Sequence, residues 1–419
     1  MSREMKDSGV EWIGDIPKSW NSIKTKNKYR FKKEIVNDRV NQYERLSLTL
    51  NGVLKRSKDD SNGLQPEKFE GYQILNKNEL VFKLIDLENV NTSRVGLSLF
   101  TGLVSPAYIV LNNEIEAPYG YFYYYSMWQR EVFNHIGGDG VRSALNKGDL
   151  LKIPYLDVPQ EEQIKIVNYL QININKINSL IRKTKSTIDD YKLLKQAIIT
   201  ETVTKGLDKN VEMKDSGIEW IGEIPTGWDT LMLAQVFAQV KNKNKDIQET
   251  NLLSLSYGNI VKRNIETTDG LLPESFDGYN IIEDGDIVLR LTDLQNDHTS
   301  LRVGLSKERG IITSAYITLR KKINVNEKYL YYFLHSFDVF KGFYGMGAGV
   351  RQGLNFSGLK KLKIAIPTID EQQQIVNHIE IRASKIENLI NQKEKLLIDL
   401  EMFKKSLIYE YVTGKKEVE

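Results

Sequence analysis

The chain has 419 residues, of which 41% are hydrophobic and 27% charged, the profile of an ordinary soluble globular protein with room for several cores. Its net charge of +3 argues against a histone-like binder, although a local basic patch fits inside a balanced total. Zero cysteines exclude disulfides, thiolate zinc sites and cysteine nucleophiles and fit a reducing cytoplasm; with no ~18-residue apolar run and a polar, charged start, neither a membrane span nor a secretory signal is expected.

In chain order, the first block is MKDSGVEWIGDIPKSW at Met5–Trp20. From Lys18 to Lys33 there follow seven basic residues and no acid, with Lys24, Lys26, Lys28 and Arg30 alternating along one face of a possible strand. Phosphate neutralisation and an edge strand kept soluble by lysines both account for this run. Next come GLQPEKFEGY at Gly63–Tyr72, a segment around Lys83-Leu84 and Asp86-Leu87, and RVGL at Arg94–Leu97; a DNA contact by Arg94 and a strand entering a core both account for RVGL, and Tyr72 fits a core or a backbone contact equally. Tyr108–Leu111 reads as a strand and Tyr121–Trp128 as an aromatic-rich helix. A glycine cluster, Gly137-Gly138-Asp139-Gly140, precedes Arg142 and Asn146. Arginine can bond a guanine edge or phosphate, and asparagine an adenine edge; a structural turn with a paired arginine accounts for the same residues.

After Pro159 the run from Gln160 to about Thr204 holds no Pro or Gly. Its apolar residues Val167, Leu170, Ile174, Ile177, Ile181, Ile188, Tyr191 and Ile198 fall three and four apart, with Thr184 and Lys195 as gaps. This predicts a helix of ~44 residues, roughly 66 Å long, with a heptad seam.

The blocks then return in the same order, except the basic run, of which the second copy keeps only Lys241, Lys243 and Lys245 at shifted positions. Met213–Trp228 matches Met5–Trp20 at 12 of 16 positions with an offset of 208, and Gly270–Tyr279 matches Gly63–Tyr72 at 7 of 10. Arg290 and Asp293 answer Lys83 and Asp86, Arg302 answers Arg94, Tyr279 answers Tyr72, and Arg351 and Asn355 answer Arg142 and Asn146. Strands are predicted at Ile281–Ile282, Asp286–Leu291 and Ala315–Leu319, and a helix at Tyr329–Phe337. A second seam follows in Val376, Ile379, Ala383, Ile386, Ile390, Leu397, Leu400 and Leu407. Two equivalent apolar stripes in one chain most simply bury each other as an antiparallel pair; a dimerisation arm is the alternative. The expected fold is α+β: a first domain at 1–158, a helix at 159–206, a second domain at 207–367, and a helix and tail at 368–419. A period of about 208 residues is a domain duplication, far beyond the ~20–50 residues of solenoid repeats. It approximates the two-fold symmetry that duplex DNA also has.

Catalytic signatures are missing. There is no N/D-P-P-Y/F motif for a flipped base, no GxxxxGK[ST] for an ATP motor, and no close pair among His135, His298, His335 and His378 for a metal. Glu4-Met5-Lys6 and Glu212-Met213-Lys214 have nuclease-like spacing but no acid on a preceding strand and read as surface charges. The Gly345–Gly349 cluster lies outside any clear βαβ unit and reads as a turn, without a bound cofactor.

The WIG-x-IP-x-x-W openings at Glu11–Trp20 and Glu219–Trp228 are followed by EQxxIV helix starts at Glu162–Val167 and Glu371–Val376. The helices end in Val203-Thr204-Lys205-Gly206 and Val412-Thr413-Gly414-Lys415. In order and duplication, across essentially the whole chain, this resembles the DNA specificity subunits of type I restriction-modification systems. The resemblance implies a cytoplasmic, non-catalytic subunit with two target recognition domains, each reading half of a split double-stranded DNA target. The paired helices would set the half-site spacing and recruit two modification subunits that methylate adenine at N6, with restriction subunits added. No cofactor would bind this chain; S-adenosylmethionine, ATP and Mg2+ would sit on partner subunits. The candidate DNA-binding residues stay those read from the residues themselves: Arg142, Arg351, Asn146, Asn355, Arg94, Arg302, Lys83, Arg290, Tyr72, Tyr279, Lys24, Lys26, Lys28 and Arg30. The rival readings are a coiled-coil adaptor for protein or RNA, which competition by a split DNA duplex would separate, and the reader part of a self-contained methyltransferase.

Overall fold

A computed structural model describes residues 3–60, 68–87, 92–136, 144–265, 275–294, 301–346 and 353–418. The helices are α1 (Ala117–Gln129), α2 (Lys147–Lys152), α3 (Gln160–Lys205), α4 (Leu233–Val236), α5 (Glu327–Val339), α6 (Phe356–Leu359) and α7 (Ile369–Val412). The chain divides into two compact units, one of Met1–Lys185 with Lys395–Glu419 and one of Ser186–Glu394. Each therefore holds one copy of the duplicated α+β domain, part of α3 and part of α7.

In the first unit, strands Arg30–Lys32, Ile109–Asn112, Leu80–Phe82 and Val95–Leu97 form an antiparallel sheet in that spatial order. A second sheet runs Gly52–Arg56, Arg45–Thr49, Gly102–Val104 and Gln73–Leu75, with one parallel pairing between Leu103 and Arg45. The central strands are apolar at nearly every position because both faces are covered. The second unit repeats the first sheet as Phe237–Gln239, Ile317–Lys321, Ile287–Leu289 and Val303–Leu305. Its counterpart of the second sheet is two antiparallel pairs joined by a single parallel bridge, Leu252 to Ile311. The predicted strands and aromatic helices are thus present, and α1 and α5 supply the aromatic cores: Tyr119, Tyr123 and Tyr124 in one, Tyr329, Phe333 and Phe337 in the other.

The RVGL blocks are core devices. Val95 and Val303 are buried, and a Cβ on Gly96 would stand 2.6 Å from Leu48, or on Gly304 2.5 Å from Leu255. Only glycine lets the two layers come that close.

The opening and helix motifs fasten each unit. Trp20 Nε1 donates to Glu162 Oε2 at 2.8 Å, and Trp228 Nε1 to Glu371 Oε1 at 3.0 Å. The adjacent glutamines close the helix starts: Gln163 Nε2 donates to the Val158 carbonyl and Gln372 Nε2 to that of Pro367. The returning helix ends dock on the same openings. The Tyr119 hydroxyl donates to the Val412 carbonyl and the Tyr329 hydroxyl to that of Val203, each inside its own unit. These contacts account for the spacing between the W, EQ and VT blocks.

The seam residues pack within each unit. In the first, Val167, Leu170, Ile174, Ile177 and Ile181 share a cluster with Leu397, Leu400 and Leu407. In the second, Ile188, Ile386 and Ile390 are buried, and Val376 and Ile379 share a cluster with Ile199. Lys404 bonds Asn178 and Lys195 pairs with Glu387, so the helices run antiparallel in both units. One seam position is corrected: Ile199, not Ile198, is the buried residue. There α3 packs into the second unit's core together with Val203, Val376 and Ile379, and its buried stripe is rotated by one residue.

Candidate nucleic-acid interface

The candidate residues separate into three groups. Arg142 and Arg351 lie outside the described residues. A second group is committed inside the fold. Arg94 is 2% exposed and Arg302 fully buried. Arg94 donates to the backbone carbonyls of Ile85 and Asp86. Arg302 donates to those of Arg290, Thr292 and Asp293 at 2.9–3.3 Å, and its Nε to the Tyr344 hydroxyl. Burial lowers the Arg94 pKa from its ordinary value. This corrects the reading of both as base or phosphate contacts: a buried guanidinium must spend its donors internally.

Asn146 and Asn355 are helix caps. The Asn146 side chain accepts from the Gly148 and Asp149 amides while Asp149 accepts from the Asn146 amide, a reciprocal capping box on α2. Asn355 accepts from the Gly358 amide at the start of α6. Their carbonyl oxygens are engaged in capping, a structural role the residues carry within the fold. Tyr72 and Tyr279 pack edge-on against Phe69 and Phe276, at 4.9 and 5.0 Å between ring centres, on the rims of small cores.

The basic run is not one strand. Asn21–Lys24 is followed by a 3-10 turn at Thr25–Asn27, and pairing resumes only at Arg30. Thr25 causes the break: it is buried, its hydroxyl donates to the Ile153 carbonyl and is shared with the Tyr124 hydroxyl. Lys28 pairs with Glu116 and Asp157, and Lys32 with the buried Glu79, so these two hold the fold. Lys24, Lys26 and Arg30 stay exposed.

What remains near the surface in both units is the short stretch that follows Lys83 or Arg290, whose carbonyls the buried arginine gathers. Lys83 and Arg290 are half-buried, and Lys83 Nζ donates to the Thr92 hydroxyl. Burial, and then the nearby Arg94, lowers the Lys83 pKa. Leu84, Leu87, Leu291 and Leu294 are buried anchors, while Ile85-Asp86 and Thr292-Asp293 between them are exposed. These tips escape notice residue by residue because an acid is a poor match to a polyanion; the repeated L-x-D-L is the signal that marks them. Among the described residues no group of three or more His, Cys, Asp or Glu could hold a metal ion, and no helix is long and apolar enough to cross a membrane.

Residues 225–397 match the family model described as the type I restriction modification DNA specificity domain. Two curated relatives come from Methanocaldococcus jannaschii. The type I restriction enzyme MjaVIII specificity subunit is 25% identical over 360 residues, 82% of this chain and 80% of the relative. The putative MjaX specificity subunit is 26% identical over 320 residues, 73% of this chain and 69% of the relative. Two solved structures share the fold. One, from work on complex assembly and conformational transition of the type I restriction-modification system, superposes with a TM-score of 0.68 at 12% identity, covering 96% of this chain and 99% of the other. The other, the HsdS subunit from Thermoanaerobacter tengcongensis, gives 0.51 at 13% identity, covering 96% and 98%.

Proposed function

We propose that this chain, which belongs to the specificity-subunit family of type I restriction-modification systems, is the non-catalytic DNA-reading subunit of such a complex. Each unit reads one half of a split double-stranded target. The observation that carries this reading is duplication at the level of contacts: sheet, aromatic helix, tryptophan–glutamate lock and arginine-clamped loop all occur twice. A chain built for one catalytic centre has no need of two equivalent surfaces; a reader of two half-sites has.

The helices set the separation of the half-sites and recruit two modification subunits, with restriction subunits joining the same assembly in the cytoplasm. S-adenosylmethionine, ATP and Mg2+ belong to those partners in this reading. The support is the pair of continuous helices shared by the two units and the absence from the sequence of the nucleotide- and methyl-transfer motifs. The test is long-read mapping of methylated adenines in cells expressing the chain with and without its modification subunit. A split motif that appears only with both is expected. Methyl transfer by the chain alone would overturn the non-catalytic role, and absence of a motif under every pairing would overturn the DNA-reading role.

A further inference from the structure

Resting on that DNA-reading role, we propose that the loop tips Ile85-Asp86 and Thr292-Asp293 read bases. Asp86 and Asp293 each accept a hydrogen bond from the exocyclic amine of a cytosine in the major groove, and the buried Arg94 and Arg302 are positioning residues that hold the tips in shape.

Three observations converge on these tips. Their backbone is held in an uncommon state: Asp86 has φ of 56° and Asp293 of 57°. A non-glycine residue in the left-handed region persists when surrounding contacts over-determine it. Those contacts are on hand in each unit. The arginine guanidinium gathers the tip's carbonyls from inside, and buried leucines pin the loop on both sides. The third observation is a tie to a second element: the Leu145 amide donates to the Leu84 carbonyl at 2.8 Å, and the Leu354 amide to the Leu291 carbonyl at 2.9 Å. Leu145 and Leu354 immediately precede the caps of α2 and α6, so each loop is fastened to a helix start. A surface loop fastened this way loses little conformational entropy on binding.

The chemistry selects the base. An ionised carboxylate only accepts hydrogen bonds. In the major groove guanine shows two acceptors and thymine one, which repel it, and adenine sets its N7 acceptor beside the N6 donor. Cytosine alone shows its amine without an adjoining acceptor on the same base. The same aspartate in both units therefore points to a cytosine in both half-sites, while Ile85 and Thr292 differ and let the neighbouring position differ.

The experiment uses the full chain in complex with its modification subunit and duplexes varied at each position of the mapped split target. With Asp293→Asn, preference for cytosine at one position of one half-site should fall roughly tenfold and move toward adenine, because an amide offers a donor and an acceptor. Asp86→Asn should do the same in the other half-site only. Arg302→Lys should blur the whole half-site read by the second unit, since one ammonium cannot replace a fork of donors. Unchanged preferences in both aspartate variants, with wild-type melting behaviour, overturn the proposal, as does a target lacking cytosine in either half. A wild-type complex without any sequence preference overturns the DNA-reading role itself, a distinct result.

Discussion

His335 lies on α5 with 9% of its surface exposed, its ring stacked 5.8 Å from Tyr331 and its Nδ1 without a hydrogen-bond partner among the described residues. Burial, and then the nearby Lys195, lowers its pKa from 6.5 to about 4. The imidazole is neutral in the folded protein across that interval and charged in the unfolded chain. The unfolded state therefore binds more protons between pH 6.5 and 4, so stability is fully present above 6.5 and declines as pH falls toward 4. Its share of the loss is at most ~3.5 kcal/mol, since each pH unit between the two pKa values is worth about 1.4 kcal/mol. Chemical denaturation of wild type and His335→Phe at pH 7.5 and pH 4.5 measures it. The variant should lose less stability on acidification than wild type, and equal losses would show that the imidazole does not titrate in this window. Tyr125 takes the aligned place in the first unit and is pushed above its ordinary pKa by burial, so only the second unit carries this dependence.

At the scale of elements, α3 and α7 were legible within a residue or two because a heptad pattern without Pro or Gly has one regular solution. The caps were legible in principle, since Asn146 and Asp149 have capping-box spacing before Leu150, but an asparagine suited to an adenine edge is equally suited to its own backbone, and the local bond wins. Arg94 and Arg302 were misread for a different reason: nothing local to an arginine in a strand says that loop carbonyls will enclose it. The basic run failed through Thr25, whose burial depends on Tyr124 and Ile153, far away in sequence. The helix ends give a prediction of their own. Gly414 (φ 69°) and Gly206 (φ 78°) both occupy the left-handed region after a long helix. A Cβ on Gly414 would lie 2.5 Å from the Pro17 ring and 2.9 Å from Trp20, whereas on Gly206 the nearest atoms are at 3.2 and 3.3 Å. Replacing either glycine by alanine costs about 1 kcal/mol for the backbone. Gly414→Ala adds about 1–2 kcal/mol of overpacking against a stiff ring. Urea unfolding should rank Gly414→Ala clearly below Gly206→Ala in stability; the reverse order would show that the openings yield where the helix ends dock.

For the whole molecule, the tandem repeat in sequence foretold two equivalent units, but not that each would take its helical part from both α3 and α7. That division follows from the antiparallel contacts, Asn178 with Lys404 and Lys195 with Glu387, which no single helix encodes. Both helices pass from one unit into the other, α3 between Lys185 and Ser186 and α7 between Glu394 and Lys395. Insertions at these two places test their role as a spacer. Seven residues added to each helix keep the seam nearly in phase, since a heptad drifts only about 20° from two full turns. They lengthen each helix by roughly 10 Å at 1.5 Å per residue. Divided by about 3.4 Å per base step, this is about three base pairs. Methylation mapping should return the same two half-sites with the spacer longer by about that amount. Insertion in one helix alone leaves the partner's seam without a match and should lower activity without producing the longer motif. An unchanged spacer in a fully active double-insertion variant would mean that the helices do not measure the distance between half-sites, and their length would then have to be explained by subunit recruitment alone.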